Sequence, residues 1–471
     1  MEYKIYAGGK FIITSKDLKV KNPFNNEVIA NTYLAQTKEL EFAITKAQQI
    51  KTEMAEMPSF KRSEILMQIA SELKNQKESM ASILCLESGK PIKHARIEID
   101  RAIQTFNVAA EESKRLPKEY ISLDWAANGT NKEGLIKYFP IGLIAGITPF
   151  NFPLNLAAHK IAPAIASGNP IIIKPASSTP LCCLELAKII DNTDLPKGAF
   201  SVLPMNRADG NLLVTDERVK LLSFTGSAEI GWQMKKDSGK KRVVLELGGN
   251  AAVIVTSTAD IELAVSKCIA GAFAYSGQVC IKVQRVFVHK SIFNLFTDKF
   301  VMAAKSLKKG NPLEENTDIS VLIDQQNADR VEQWVNEAVA GGSTLLCGGK
   351  KYGAFFEPTV LTNTNTSMKV NSLEIFGPVV TIDVFEEFSE SLQKVNETSF
   401  GLQAGVFTNN ITEMNQSFAF IEAGAVIIND VPTFRMDHMP YGGIKDSGFG
   451  REGVKYAIAD MMEPKLLIKD Y

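Results

Sequence analysis

The sequence predicts an α/β protein with two parallel-sheet domains in series and a small projecting β arm. Three observations carry this. From about residue 139, short apolar runs alternate with helix-length segments; a second such series runs from about 251 to 428; and a polar stretch with β-forming islands between about 119 and 138 belongs to neither.

The elements follow in chain order. Residues from about 38 to 116 carry apolar side chains at mixed spacings of three and four (Ile65, Ile69, Leu73, then Met80, Ile83, Leu84) with dense Lys and Glu between them, the pattern of solvated helices that cover a sheet. The runs Leu143-Ile144-Ala145-Gly146-Ile147, Ile171-Ile172-Ile173, Phe200-Ser201-Val202-Leu203, Leu221-Leu222-Ser223-Phe224 and Val243-Val244-Leu245 read as buried strands of a parallel, doubly wound sheet. Ala252-Val253-Ile254-Val255, Val286-Phe287-Val288 and Ala425-Val426-Ile427-Ile428 repeat the pattern, so a cleft between two domains is expected. Tyr120-Ile121 and Leu135-Ile136-Lys137-Tyr138 flank an Asn128-Gly129 turn signal and read as a hairpin. The terminal Lys465-Leu466-Leu467-Ile468-Lys469 is a strand suited to pair with such an arm in another subunit, the alternative being a surface hairpin and a frayed tail.

Composition narrows the function classes. A formal charge of −1 provides no global basic field for nucleic acid, and no apolar run approaches the roughly 18 residues of a membrane span. The first residues lack an apolar signal-peptide core, so a soluble cytoplasmic protein is expected. Six cysteines (Cys85, Cys182, Cys183, Cys268, Cys280, Cys347) form no C-x-x-C pair, and the four histidines are scattered, so neither a disulfide framework nor a metal site is expected.

Two positions carry chemistry. Cys280 follows Gly277-Gln278-Val279, and Glu246 stands isolated among leucines and glycines in Leu245-Glu246-Leu247-Gly248-Gly249-Asn250. A thiol nucleophile and a carboxylate able to activate water are what covalent catalysis followed by hydrolysis requires. A packed core thiol is the competing reading for any one cysteine. Thr148-Pro149-Phe150-Asn151-Phe152-Pro153 and Lys174-Pro175-Ala176-Ser177 follow expected strands, where open parallel sheets bind ligands. Phe224-Thr225-Gly226-Ser227-Ala228-Glu229-Ile230-Gly231 has its glycines five apart, unlike G-x-G-x-x-G, yet it places a glycine and a hydroxyl at an expected helix N-terminus.

Together with Glu374-Ile375-Phe376-Gly377-Pro378 and Tyr441-Gly442-Gly443-Ile444-Lys445-Asp446-Ser447-Gly448, these motifs make the chain resemble the NAD(P)-dependent aldehyde dehydrogenase superfamily, in order and spacing over practically its whole length. The resemblance implies a Rossmann-like NAD(P)-binding domain over 1–118 and 139–247, a catalytic domain over 248–447, and an oligomerisation arm and tail over 119–138 and 448–471 of a homodimer or homotetramer. It implies that Cys280 attacks an aldehyde, that Asn151 and the Cys280 backbone N–H hold the oxyanion, and that Glu246 activates the water that releases the acid. It assigns NAD or NADP to Ile147, Thr148, Pro149, Phe150, Lys174, Ser177, Gly210, Phe224, Thr225, Gly226, Ser227, Ile230, Leu247, Glu374 and Phe376. Relatives that acylate coenzyme A tend to lack the carboxylate, so Glu246 favours the free acid; coenzyme A acylation and a non-catalytic relative remain the alternatives.

Ser177 stands where many NAD-preferring relatives have glutamate, which removes a repulsion against the 2′-phosphate and makes both cofactors admissible. For the substrate, the segment before the last glycine-rich motif supplies Arg435 and His438. Arg101, Lys282 and His159, the last where many relatives carry tryptophan, complete a set able to bind the tail of a short aldehyde carrying a carboxylate, phosphonate, sulfonate or hydroxyl, such as a lactaldehyde, a semialdehyde or a phosphono- or sulfo-aldehyde. An ion pair of Arg101 with Glu98, three residues earlier on one helix face, is the competing expectation.

Overall fold

The apolar runs of the first series become neighbouring strands. In the computed structural model, which describes all 471 residues, Ile144–Ile147 lies between Ile171–Lys174 and Leu221–Thr225, and Phe200–Val202 and Arg242–Glu246 extend the sheet outward, all five parallel. Chain direction across the sheet reverses at Ile144–Ile147. A crevice therefore opens beyond the carboxyl ends of that strand and Leu221–Thr225, the place where doubly wound sheets take ligands. The amino-terminal strands Ile5–Ala7 and Lys10–Ile12 add an antiparallel edge.

The second sheet has seven strands. Ala252–Val255, Arg285–His289, Val379–Phe385 and Gln403–Phe407 form its parallel centre, and their side chains are almost wholly buried between helices on both faces. The helices Ser59–Asn75, Lys77–Ser88 and Ile92–Glu112 pack with the buried helix Asn155–Ser167 to cover the first sheet and form the largest core.

The arm differs from expectation in two respects. Met462–Asp470 pairs along its whole length with Lys132–Pro140 of the same chain, and Lys118–Ser122 completes the three-stranded sheet. The polar and apolar side chains alternate poorly along the tail, and its pairing needs no second subunit. The tail also begins later than expected: Gly448–Phe449 adds an antiparallel strand beside Arg242–Glu246, and the helix Val454–Asp460 buries Val454 and Ile458 in the core of the first domain. Only the final strand joins the arm.

One buried ion pair ties these elements together. Lys90 and Glu98, both fully buried, are bonded to each other, and the second oxygen of Glu98 accepts the backbone N–H groups of Leu154 and Asn155 at 3.0 and 3.1 Å. Those N–H groups open the helix Asn155–Ser167, whose exposed dipole end a carboxylate stabilises. Removing one partner of such a pair leaves a charge buried without compensation. We therefore expect Glu98→Ala to cost about 3–5 kcal/mol, whereas replacing Lys90 and Glu98 together by Met and Leu recovers part of the loss. Guanidinium denaturation midpoints of the two variants check this; a loss below about 1 kcal/mol for Glu98→Ala would refute the organising role.

Candidate active site

Cys280 is held at the end of a strained loop. Tyr275, Ser276 and Gly277 take φ values of +50°, +53° and +70°, three successive residues in the left-handed region. For the two non-glycine residues this costs of order 1–3 kcal/mol each. The surroundings fix them: the Tyr275 hydroxyl donates to the Ser88 carbonyl (2.9 Å) and the Ser276 hydroxyl to the Ser320 carbonyl (2.7 Å). A Cβ on Gly277 would lie 2.3 Å from the Gly377 carbonyl oxygen, so this position takes glycine on steric as well as conformational grounds. Likewise, a Cβ on Gly249 would lie 2.3 Å from the Cys280 carbonyl oxygen, which explains the Gly-Gly that follows Glu246.

The loop delivers the thiol to a cavity of about 390 Å³. Cys280 alone of the six cysteines is only half-buried. Its Sγ lies 3.3 Å from the Tyr441 hydroxyl. Burial pushes the thiol up to about 11, an effect that the Tyr441 hydrogen bond and the nearby Arg435 partly offset. Asn151, buried in the turn after Ile144–Ile147, donates from Nδ2 to the Gln278 carbonyl at 2.9 Å, which leaves its second amide N–H free beside the loop. The Cys280 N–H donates to no protein group.

Glu246 ends its strand fully buried, and neither carboxylate oxygen has a hydrogen-bond partner. Burial, reinforced by the negative charge of Glu452, raises its pKa well above the carboxylate range.

Behind these groups runs a chain of buried charges. Lys160 reaches from the middle of an otherwise apolar helix to the Ser223 and Thr225 hydroxyls (3.0 and 2.8 Å) and to Glu452 (3.0 Å). The other oxygen of Glu452 accepts from Arg435 at 3.1 Å, and the Arg435 guanidinium lies over the Tyr441 ring, 3.6 Å from its centroid. Although burial opposes its charge, Glu452 is held low, to about 2, by Lys160 and Arg435. Backbone hydrogen bonds between Tyr441 and Glu452 lock the two relative to each other.

The sequence-stated substrate candidates separate into three groups in space. Arg101 and Arg435 line the cavity with Cys280, Phe152 and Tyr441. Arg101 does not pair with Glu98, which Lys90 already occupies; it donates to Asp437 at 2.7 and 3.4 Å. His159 is buried behind the wall. It contacts Asp437 at 2.8 Å and Arg435 at 3.4 Å and does not line the cavity, and burial followed by the Arg435 charge lowers its pKa. Lys282 and His438 lie elsewhere. Lys282 Nζ donates to the Val379 carbonyl (2.6 Å), burial brings it down to about 7, and it does not line the cavity. His438 points to solvent. Sequence reasoning missed Asp437, Glu452, Lys160 and Tyr441. One signal was available: His159-Lys160 are charged or polar residues inside the apolar run Leu156–Ala166, where an unpaired ion is not tolerated.

The residues assigned to a dinucleotide lie at strand ends around the crevice. The Thr148 Oγ1 is buried and has no partner, and Lys174, at the end of its strand, forms no ion pair although burial lowers its pKa. Gly210 packs against the Lys174 side chain, and a Cβ there would lie 2.6 Å from Lys174 Cε. Ser227 caps the helix Ala228–Asp237 through its backbone only, so its hydroxyl and the helix N-terminus are open to an anion. Phe224, Ile230 and Leu247 pack beneath them. From the second domain, Glu374 accepts the Gly249 N–H at 3.0 Å, and Phe376 meets Phe150 edge to face at 5.8 Å. Ile147, Pro149 and Thr225 complete the same rim, and Ser177 donates to the Met205 carbonyl at 3.3 Å while keeping its lone pairs. An orphaned hydroxyl, an unpaired lysine and an uncapped helix end are the groups a pyrophosphate and two riboses call for, so the residues present fit NAD or NADP.

Comparison with known proteins agrees. The model of the aldehyde dehydrogenase family matches residues 12–467. A 3-sulfolactaldehyde dehydrogenase of Priestia aryabhattai is 40% identical over 99% of this chain and 98% of its own. Among solved structures, aldehyde dehydrogenase 21 of Physcomitrella patens, in complex with the reaction product succinate, aligns with a TM-score of 0.98 at 45% identity over 100% of this chain and 98% of its own. Glyceraldehyde-3-phosphate dehydrogenase of Methanocaldococcus jannaschii, complexed with NADP, aligns with a TM-score of 0.94 at 42% identity over 98% of this chain and 100% of its own. The chain belongs to the aldehyde dehydrogenase family and is an NAD(P)-dependent oxidoreductase.

Proposed function

We propose that this enzyme oxidises a short aldehyde with an anionic tail to its carboxylic acid through a covalent Cys280 intermediate. The observation that carries the reading is the placement of Cys280 in one cavity with Arg101 and Arg435. The thiol releases its proton to solvent, and the resulting thiolate attacks the carbonyl carbon, whose C=O electron pair moves onto oxygen. The developing oxyanion meets the free amide N–H of Asn151 and the free backbone N–H of Cys280, donors already fixed in a site largely shielded from water. NAD or NADP, when bound, supplies the two-electron oxidant that converts the thiohemiacetal to a thioester. Glu246, once deprotonated, takes a proton from the water that attacks the thioester, and Cys280 leaves as thiolate. The cofactor is held by Lys174, the Ser227 helix end, Glu374 and Phe376. The names of two relatives support the choice of tail: one acts on sulfolactaldehyde and another holds succinate, each bearing a negative group at the far end of a short chain.

Three outcomes are expected. Cys280→Ser lowers kcat by at least about 10⁴-fold, and Glu246→Gln lowers it by about 10²–10⁴-fold while intact-mass spectrometry finds an acyl adduct on Cys280. Because the thiol and the Glu246 carboxyl both have raised pKa values and both react deprotonated, wild-type kcat/KM rises with pH through the neutral and mildly alkaline range; a flat profile together with no adduct would refute these roles.

Second, Arg435→Ala raises KM for carboxylate- or sulfonate-tailed aldehydes by about 10- to 100-fold, the worth of a charge-assisted hydrogen bond. Unchanged KM for every anionic aldehyde would remove the anionic-tail assignment.

Third, Ser177 presents no carboxylate to a 2′-phosphate, so both cofactors support turnover. Comparison of kcat/KM checks this, and a preference for NAD beyond about a thousandfold, roughly 4 kcal/mol, would overturn it.

A further inference from the structure

The charges around the aldehyde cavity do not cancel. Lys90, Arg101 and Arg435 line it. Each has a carboxylate partner, respectively Glu98, Asp437 and Glu452. Glu452 is shared, because Lys160 also donates to it. Burial brings His94 down to about 4, lowers His159, pushes Cys280 up to about 11 and raises Tyr441 and Glu246. In this set of ion pairs four cations meet three carboxylates, because Lys160 and Arg435 share Glu452, so one positive charge is left over.

That charge resides on Arg435. Its Nε is buried and has no hydrogen-bond partner, and it lies over the ring of Tyr441, whose hydroxyl touches the nucleophile. Arg101, by contrast, spends two N–H groups on Asp437. Asp437 also holds His159, so one carboxylate both neutralises Arg101 and fixes the ring behind Arg435.

We infer that the cavity accepts aldehydes whose tail carries a single negative charge, a carboxylate or sulfonate, and discriminates against the doubly charged tail of a phosphorylated aldehyde, with Asp437 as the specificity-determining residue that cancels the charge of Arg101. The inference rests on the anionic-tail reading above. A monoanion finds one cation whose carboxylate is shared with a second cation. A dianion brings a second charge out of water with no counter-charge to meet it, and such a charge is disfavoured in a buried site.

The test compares kcat/KM for four aldehydes: uncharged propionaldehyde, succinic semialdehyde, a sulfonate-tailed aldehyde and glyceraldehyde 3-phosphate. For the wild-type enzyme at pH 7.5 the two monoanions exceed the phosphate by about tenfold or more. Asp437→Asn, which adds one net positive charge, moves the phosphate-to-carboxylate ratio toward phosphate by about tenfold, and Asp437→Glu keeps the wild-type ratio. A second measurement needs no variant: phosphate monoesters take up a proton near pH 6, so the wild-type ratio moves toward phosphate as pH falls from 7.5 to 5.5. Phosphate preferred over both monoanions at pH 7.5, or a ratio indifferent to both Asp437→Asn and pH, would overturn the inference while the anionic-tail reading stands. Propionaldehyde outcompeting all three anions would instead overturn the anionic-tail reading itself.

Discussion

The Glu98 carboxylate sets the positions on which the site depends. One oxygen holds Lys90; the other holds the two N–H groups that open the helix Asn155–Ser167. Lys90 in turn lies under the rings of Phe152 and Tyr275, 3.8 and 4.6 Å from their centroids. Phe152 belongs to the turn that carries Asn151, and Tyr275 to the strained loop that carries Cys280. A single buried charge pair thus connects the turn that carries Asn151, the loop that carries Cys280 and the helix that bears Arg101. The left-handed residues of that loop persist because Tyr275 and Ser276 are each tied to a separate segment of backbone.

Burial disfavours the charged forms of the groups around the cavity and the crevice. Cys280, Glu246 and Glu374 all have raised pKa values, and Lys282 beside Glu374 a lowered one, with burial the dominant cause for each. Charges are instead confined to residues with partners: Lys160 and Arg435 with Glu452, Arg101 with Asp437.

Much of the fold was legible because parallel strands buried on both faces leave continuous apolar runs, and five of those runs are the five parallel strands of the first sheet. The register of the tail was not legible. Lys465-Leu466-Leu467-Ile468-Lys469 encodes a strand but not its partner, and the choice of Lys132–Pro140 in the same chain is made by the helix Val454–Asp460, which packs on the first domain and aims the chain at the arm. Within the site, Cys280, Glu246 and Asn151 stood in distinctive motifs. Asp437 did not, since one acid between Met436 and His438 looks like any surface residue until Arg101, 336 positions away, is folded against it.

Arg435 and His438 show why neighbours in sequence diverge in role. Both occupy one short segment without regular structure, in which successive side chains need not share a face; Arg435 turns inward onto Tyr441 and Glu452, while His438 turns to water. The burial of Arg435 is tolerable only because Glu452 is already there, and Glu452 is tolerable only because Lys160 reaches it from the far side. Removing Lys160 from this series would leave Arg435 and Glu452 as a closed, neutral pair with no charge to offer. The second cation on Glu452 is therefore a lysine buried in a helix one layer behind the cavity, and Glu452 is what makes an ion acceptable inside that largely apolar helix.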